Sequence, residues 1–368
     1  MWPEDLFEFI LEDLTEEIAA QAISDPKPMP CDRWIARSAL QKAIRRGEPE
    51  IALQALAALL VQHPAGLWRD LTIIAIEDVG VPGMDTIARV VSAGRNRPWR
   101  RRMGGEWVVA SALVQRMAEG THCQAVCDLL MRLENDPAWD KARVSALEAD
   151  IPELARDLVD STRPLEVRAA AALALGGGLA EEQRFHQPTA IFEALGSLGR
   201  STHVVATAQA AWKISRNPMA LLLPLVWLEW MKLEPVEVRD DDLPALNLIG
   251  SIPTSAIDQF TRAGQSVIRA YLNADPNMRA LLDAAGVLSA QRSRVVGDLM
   301  FLLEGGRLSR RAIWPLGDCL RLPFRPLPGA FIRRDGLNAA LAHFSTKGPL
   351  IDDLRRQHPP SVKFSPPA

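Results

Sequence analysis

The chain has 368 residues, of which 48% are hydrophobic, and its 42 basic and 45 acidic side chains leave a net charge of −3. That length buries a substantial core without covalent staples, and four scattered cysteines (Cys31, Cys123, Cys127 and Cys319) do not suggest a disulfide framework. Abundant Ala and Leu, a single Tyr and few alternating β-branched stretches point to an all-α, multi-helical protein.

Residues 3–22 read as an amphipathic helix, with Leu6, Ile10 and Leu14 at i, i+4 spacing, Phe7, Leu11 and Ile18 widening the stripe, and an acidic opposite face. It is read as packed on the body of the protein; the alternative is a detachable helix for a partner groove. The prolines of Ser24 to Pro30 make that stretch a linker. A first helix follows, with Leu40, Ala43 and Ile44 on its apolar face, Lys42, Arg45 and Arg46 on other faces, and Gly47 as its stop. Pro49 and Glu50 open a second, carrying Ile51, Leu53, Leu56, Leu59 and Leu60 up to a break at residues 63–66. Leu67, Leu71, Ile74 and Ile76 carry a third into Glu77-Asp78, ended by Gly80 and Pro82, and the three are expected to pack as one unit.

The phrases SALQKAIRRGEPEIALQALAALL and LWRDLTIIAIEDVG within this stretch resemble the helical region C-terminal to the ATPase module of clamp-loader-like proteins of the replication-associated recombination (MgsA/RarA, Werner-helicase-interacting) type. The resemblance covers about residues 38–87. It implies a clamp-loader-collar-like helical unit, a role in oligomerisation, and partners in DNA replication or repair. It does not extend to nucleotide hydrolysis, because no Gly-Lys dipeptide occurs in the chain and a phosphate-cradling loop is therefore absent.

Next comes the densest basic cluster: Arg95, Arg97, Arg100, Arg101 and Arg102 surround Pro98 and Trp99 ahead of Gly104-Gly105. Guanidinium groups pair with phosphates in bidentate fashion and an exposed Trp stacks on an unpaired base, so a DNA contact is one reading. The other is structural: arginines on the acidic N-terminal helix, or a solvated turn with Trp99 tucked inward. Residues 106–134 form one helix or a pair; His122, Cys123 and Cys127 lie close, but a structural metal site needs four ligands, so buried free cysteines are the better reading. Two short helices flanking Arg163-Pro164, the second Ala-rich and ended by Gly176-Gly177-Gly178, have a HEAT-like character. Helices over Pro188 to Leu198 and Val204 to Ser215 lead to Met219–Met231, a buried helix broken or kinked at Pro224. At thirteen residues it is short of the ~20 needed to span a bilayer. Asp240, Asp241 and Asp242 read as acids starting a helix at Leu243-Pro244. Further helices are expected from Ile257 to Leu272, Pro276 to Ala285 and Ala290 to Leu303, then an irregular basic region and a disordered tail from His358.

Charge is distributed unevenly: residues 1–31 hold eight acids against Lys27, and residues 305–368 hold eleven basic side chains against four acids. A basic end for nucleic acid with an acidic head that docks on it is one reading; two solvated surfaces is the other. Four segments are expected: 1–30, acidic helix and linker; 31–150, clamp-loader-like; 151–250, HEAT-like; 251–368, basic and helical with a loose tail. No catalytic motif of the G-x-S-x-G or H-E-x-x-H kind occurs, so a non-enzymatic binding protein without cofactor or metal is expected. A third possibility, an enzyme site assembled across units, would gather several of Glu77, Asp78, His203, Arg262 and Arg269. The first residues show no positively charged n-region and no apolar core of signal length, so a cytoplasmic, membrane-free protein is expected. The residues singled out for phosphate or partner contact are Arg45, Arg46, Arg95, Arg97, Trp99, Arg100, Arg101 and Arg102. The competing role is a helical-repeat scaffold that binds protein alone.

Overall fold

The computed structural model describes residues 3–21, 24–179, 186–199, 202–233, 236–321 and 333–358. The protein is all-α and multi-helical: twenty α-helices run through the described residues, with two small antiparallel two-stranded sheets. Its residues divide into two compact units, each assembled from three separate stretches of chain. One contains residues 1–24, 65–240 and 310–322; the other contains 25–64, 241–309 and 323–368. The tail from Pro359 onward, expected to be disordered, lies outside the described residues.

In the first unit the helix Met84–Arg95 is central, with every residue from Met84 to Ala93 buried except Asp85. Pro3–Ala20, Leu67–Ile74, Glu106–Glu119 and Thr202–Ser215 pack around it. The N-terminal helix lays Phe7, Leu11, Leu14 and Ile18 into this core, as its apolar stripe requires. The Ala-rich helix Leu165–Gly176 is buried from Arg168 onward, and its small side chains admit Ile151–Val159, Asp140–Glu148 and Met219–Trp230 at close range. Gly177 (φ 78°) ends it in a left-handed cap, its N–H bonded to Ala174 O and that of Gly178 to Leu173 O. Pro224 lies inside Met219–Trp230, where all residues to Val226 are buried. The strands Glu237–Arg239 and Arg311–Ile313 pair in register, Val238 opposite Ala312, and His122 makes a parallel bridge to Arg311.

The second unit pairs Arg33–Arg46 with Pro49–Gln62. Asp32 caps the first helix, accepting from the N–H groups of Trp34 and Ile35, and Gly47 (φ 67°) ends it. Arg262–Ala274, Pro276–Ala284, Arg292–Met300, Arg334–Ser345 and Gly348–Gln357 complete it. Tyr271 is fully buried against the edge of Phe344. Its hydroxyl donates to Asp275, which also accepts from the Met278 N–H and contacts His343 Nε2 at 2.8 Å.

Four expectations change. The third helix, Leu67–Ile74, belongs to the first unit, because its apolar face packs on Met84–Arg95 and Thr202–Ser215; its last turn widens into a π-helix over Ala75–Val79. The proline-rich stretch after Ser24 is anchored: Met29 is fully buried, its N–H donates to Gln54 O, and Gln62 donates to Cys31 O. No helix starts at Leu243-Pro244. Instead the Asp240 and Asp241 carboxylates accept from the backbone N–H groups of Arg310 and Leu308, and residues 240–247 run without helix. The helix expected from Ile257 begins at Arg262, where Thr261 caps it by accepting from the Gly264 N–H. Among the described residues no helix is long and apolar enough to cross a membrane.

Candidate nucleic-acid interface

The arginine cluster folds as the short helix Arg97–Arg102 immediately after Met84–Arg95. Asn96 starts it, its side chain accepting from the Trp99 N–H at 3.0 Å, and Pro98 supplies the φ its first turn needs. Gly104 and Gly105 then turn the chain with φ of 98° and 103°, in the region that glycine alone enters without strain.

Two members point inward. Trp99 is 5% exposed, and its indole N–H donates to Thr15 Oγ1 at 3.1 Å. Arg100 is equally buried: Nε donates to Glu106 at 2.7 Å, Nη1 to the carbonyls of Ala93 and Gly94, and the guanidinium lies 4.5 Å above the Trp68 ring. Trp68 Nε1 donates to the same Glu106 oxygen at 2.6 Å. Burial would raise the Glu106 carboxyl, but hydrogen bonds from Arg100 and Trp68 and the charges of Arg100 and Arg97 hold it below the usual carboxylate range. For Trp99 and Arg100 the structural reading of the cluster holds: both side chains are engaged inside the unit, which leaves Trp99 no exposed face for base stacking and Arg100 no exposed guanidinium for a phosphate. Arg95 is exposed, with its guanidinium 4.2 Å over Phe7 of the N-terminal helix. Arg97, Arg101 and Arg102 are exposed.

The acidic helix thus meets arginines, though chiefly ones outside the cluster. Arg89 pairs with Asp13, Glu17 and Asp85, and Arg116 with Glu17 and Asp85 at 2.8 and 2.7 Å.

Arg45 and Arg46 lie in the other unit and are 2% and 9% exposed. Arg45 donates to Gly305 O at 2.8 Å beside the Phe301 ring, and Arg46 bonds Glu48 and Pro244 O. Neither presents a guanidinium to a phosphate. Their neighbour Lys42 is buried too, bonded to Asp258, to Ser38 Oγ and to Ser255 O. Burial lowers its pKa against the opposing pull of Asp258. Arg355, 1% exposed, closes a further buried pair with Glu304 at 2.6 Å and Asp352 at 3.0 Å. Helical periodicity placed Lys42, Arg45 and Arg46 on faces other than the apolar one; besides the local Ser38 and Glu48, their partners Asp258, Gly305 and Pro244 lie more than 190 positions away, which no local pattern reveals.

The residues that would signal an assembled catalytic site are Glu77, Asp78, His203, Arg262 and Arg269. Asp78 is buried, accepting from Gln124, while His203, Arg262 and Arg269 are exposed, and the two units divide the five between them. His122 is buried with Nε2 3.1 Å from Met117 O, and Cys123 is buried. Among the described residues, no group of three or more His, Cys, Asp or Glu side chains could hold a metal ion.

No protein-family model, no curated protein and no solved structure matches the chain.

Proposed function

We propose that this is a non-enzymatic helical protein that binds the sugar-phosphate backbone of duplex DNA through Arg97, Arg101 and Arg102, and that it serves a partner in DNA replication or repair. The observation carrying the DNA part is the anchored arginine helix: Trp99 and Arg100 fix it from within, and the remaining three guanidinium groups are held outward at the surface. Guanidinium groups carried on an anchored helix suit phosphates, which position a protein on the duplex without reading sequence. Duplex is favoured over single strands because the aromatic side chains of this surface, Trp68 and Trp99, are buried and offer no stacking platform. Replication or repair, and self-association, rest on the resemblance of residues 38–87 to the clamp-loader-like family.

A protein-only scaffold is the second reading, favoured by Phe9, which is 61% exposed on the outer face of the acidic helix and would suit a hydrophobic partner groove. The test is an anisotropy titration of wild type and the Arg97→Ala/Arg101→Ala/Arg102→Ala variant on duplex and single-stranded DNA across a salt series. Micromolar duplex binding that weakens in the variant, with a log–log salt slope flatter by up to about 0.9 per phosphate contact removed, is expected. Equal affinity and slope for the two proteins would refute the role of these arginines.

A further inference from the structure

Three helix ends converge beside the arginine helix. A methyl group on Gly94, at the end of Met84–Arg95, would stand 3.2 Å from Ile214 Cδ1 and 3.5 Å from Trp68 Cε3. Ile214 is in the last turn of Thr202–Ser215, and Trp68 is in the first turn of Leu67–Ile74. Arg100 ties the arginine helix to this junction through the Ala93 and Gly94 carbonyls and the Trp68 ring. Arg69, next to Trp68, reaches across to Ser215 O at 3.4 Å.

Around that junction the sequence places Arg69, Lys213 and Arg216, all exposed. Arg216 directly follows the helix Thr202–Ser215 with φ 53°, its N–H bonded to Trp212 O. That conformation favours glycine, yet the chain puts an arginine there. Helix C-termini attract basic residues, but each C-terminus carries only about half a negative charge, so the two that meet here do not neutralise this many cations. Of the carboxylates at the junction, Glu106 is already engaged by Arg100 and Trp68, and Asp70, in the first turn of Leu67–Ile74, is buried.

We infer that the nucleic-acid surface of this unit extends beyond the arginine helix to Arg69, Lys213 and Arg216, from two other stretches of the chain, which join Arg97, Arg101 and Arg102 in one patch for backbone phosphates of duplex DNA. This rests on the reading given under Proposed function. The patch is read by charge alone, so binding is independent of base sequence and steeply salt-dependent.

The experiment compares four full-length proteins by anisotropy on a short mixed-sequence duplex, between about 50 and 200 mM salt, with circular dichroism melting as the folding control. They are wild type, Arg69→Ala/Lys213→Ala/Arg216→Gly, Arg97→Ala/Arg101→Ala/Arg102→Ala, and Arg262→Ala/Arg269→Ala, which removes exposed arginines of the other unit. Glycine at 216 removes the charge while relieving the backbone. The expected result is a loss of about tenfold or more in affinity for each of the two patch variants, a flatter salt slope in both, and wild-type behaviour for the Arg262/Arg269 variant. If the Arg69/Lys213/Arg216 variant binds like wild type while the Arg97/Arg101/Arg102 variant is weakened, the extension is wrong and the arginine helix stands. Absence of duplex binding by wild type would overturn both. Competition by polyglutamate as effective as by unlabelled duplex, charge for charge, would assign the patch to an acidic protein and overturn it as a nucleic-acid surface.

Discussion

Arg100 and Arg101 are adjacent in sequence, yet one is spent on Glu106 and two carbonyls inside the unit and the other faces solvent. The difference is desolvation: a guanidinium is buried only where carboxylates and carbonyls replace its water. The same rule accounts for Lys42 with Asp258 and Arg355 with Glu304 and Asp352. Asp275 shows how such a centre couples to pH. Burial alone would raise its carboxyl, but the Met278 N–H, His343 and Tyr271 outweigh that and hold it below the usual carboxylate value. A carboxyl lowered by folding contributes stability that is complete above its unfolded pKa of about 3.9 and is lost as pH falls through the folded value. Asp275→Asn should therefore be less stable at neutral pH and should lose part of the decline that wild type shows below about pH 4. Urea midpoints across an acidic pH series would show this; parallel wild-type and variant curves would disprove it.

At the scale of elements, one turn governs the first unit. The π-helix Ala75–Val79 ends at Gly80, whose φ is 62° and whose added methyl would stand 2.1 Å from Cys123 O. Cys123 N–H in turn donates to Asp78 O at 2.9 Å, so the turn and the segment before Ala125–Asn135 are fitted to each other. Gly80→Ala combines strained backbone with a clash against backbone, and should cost about 3 kcal/mol or more. Gly196 provides the contrast: it lies inside Pro188–Ser197 with open space around its Cα, and Gly196→Ala should stabilise by about 0.5–1 kcal/mol. Thermal melting of the two variants should move in opposite directions; a neutral Gly80→Ala would show that the turn adapts.

At the scale of the whole molecule, both units are built from stretches distant in sequence, and the second depends on this most. Lys42, Arg45 and Arg46 of its first helix find their partners at Asp258, Gly305 and Pro244. A chain truncated after Asp240 would lose those partners together with the elements that cover this face, and would leave the helix pair exposed to water. Limited proteolysis should then cut within residues 25–64 of the truncated chain while that region of the full-length protein resists; equal resistance would show that the helix pair folds without them.

The fold class was legible in the sequence because helix formation follows local periodicity and capping: Gly47 ends one helix, Gly177 another, and Leu11, Leu14 and Ile18 announce a buried face. The candidate site was legible only as composition. The string of arginines marked the place, but periodicity assigns charged residues to the outside by default, and burial of a charge depends on a partner supplied from elsewhere. Trp99 needed Thr15, Arg100 needed Glu106, and Arg45 needed Gly305. The sequence alone determined most of the helical segments and stops such as Gly47 and Gly177, because those forces act within a turn or two; the start at Arg262 and the non-helical run over 240–247 were not among them. Which arginines face solvent, which helices share a unit and which residues surround the junction at Gly94 were decided by tertiary packing, because hydrogen bonding and desolvation act between groups adjacent in space, whatever their separation along the chain.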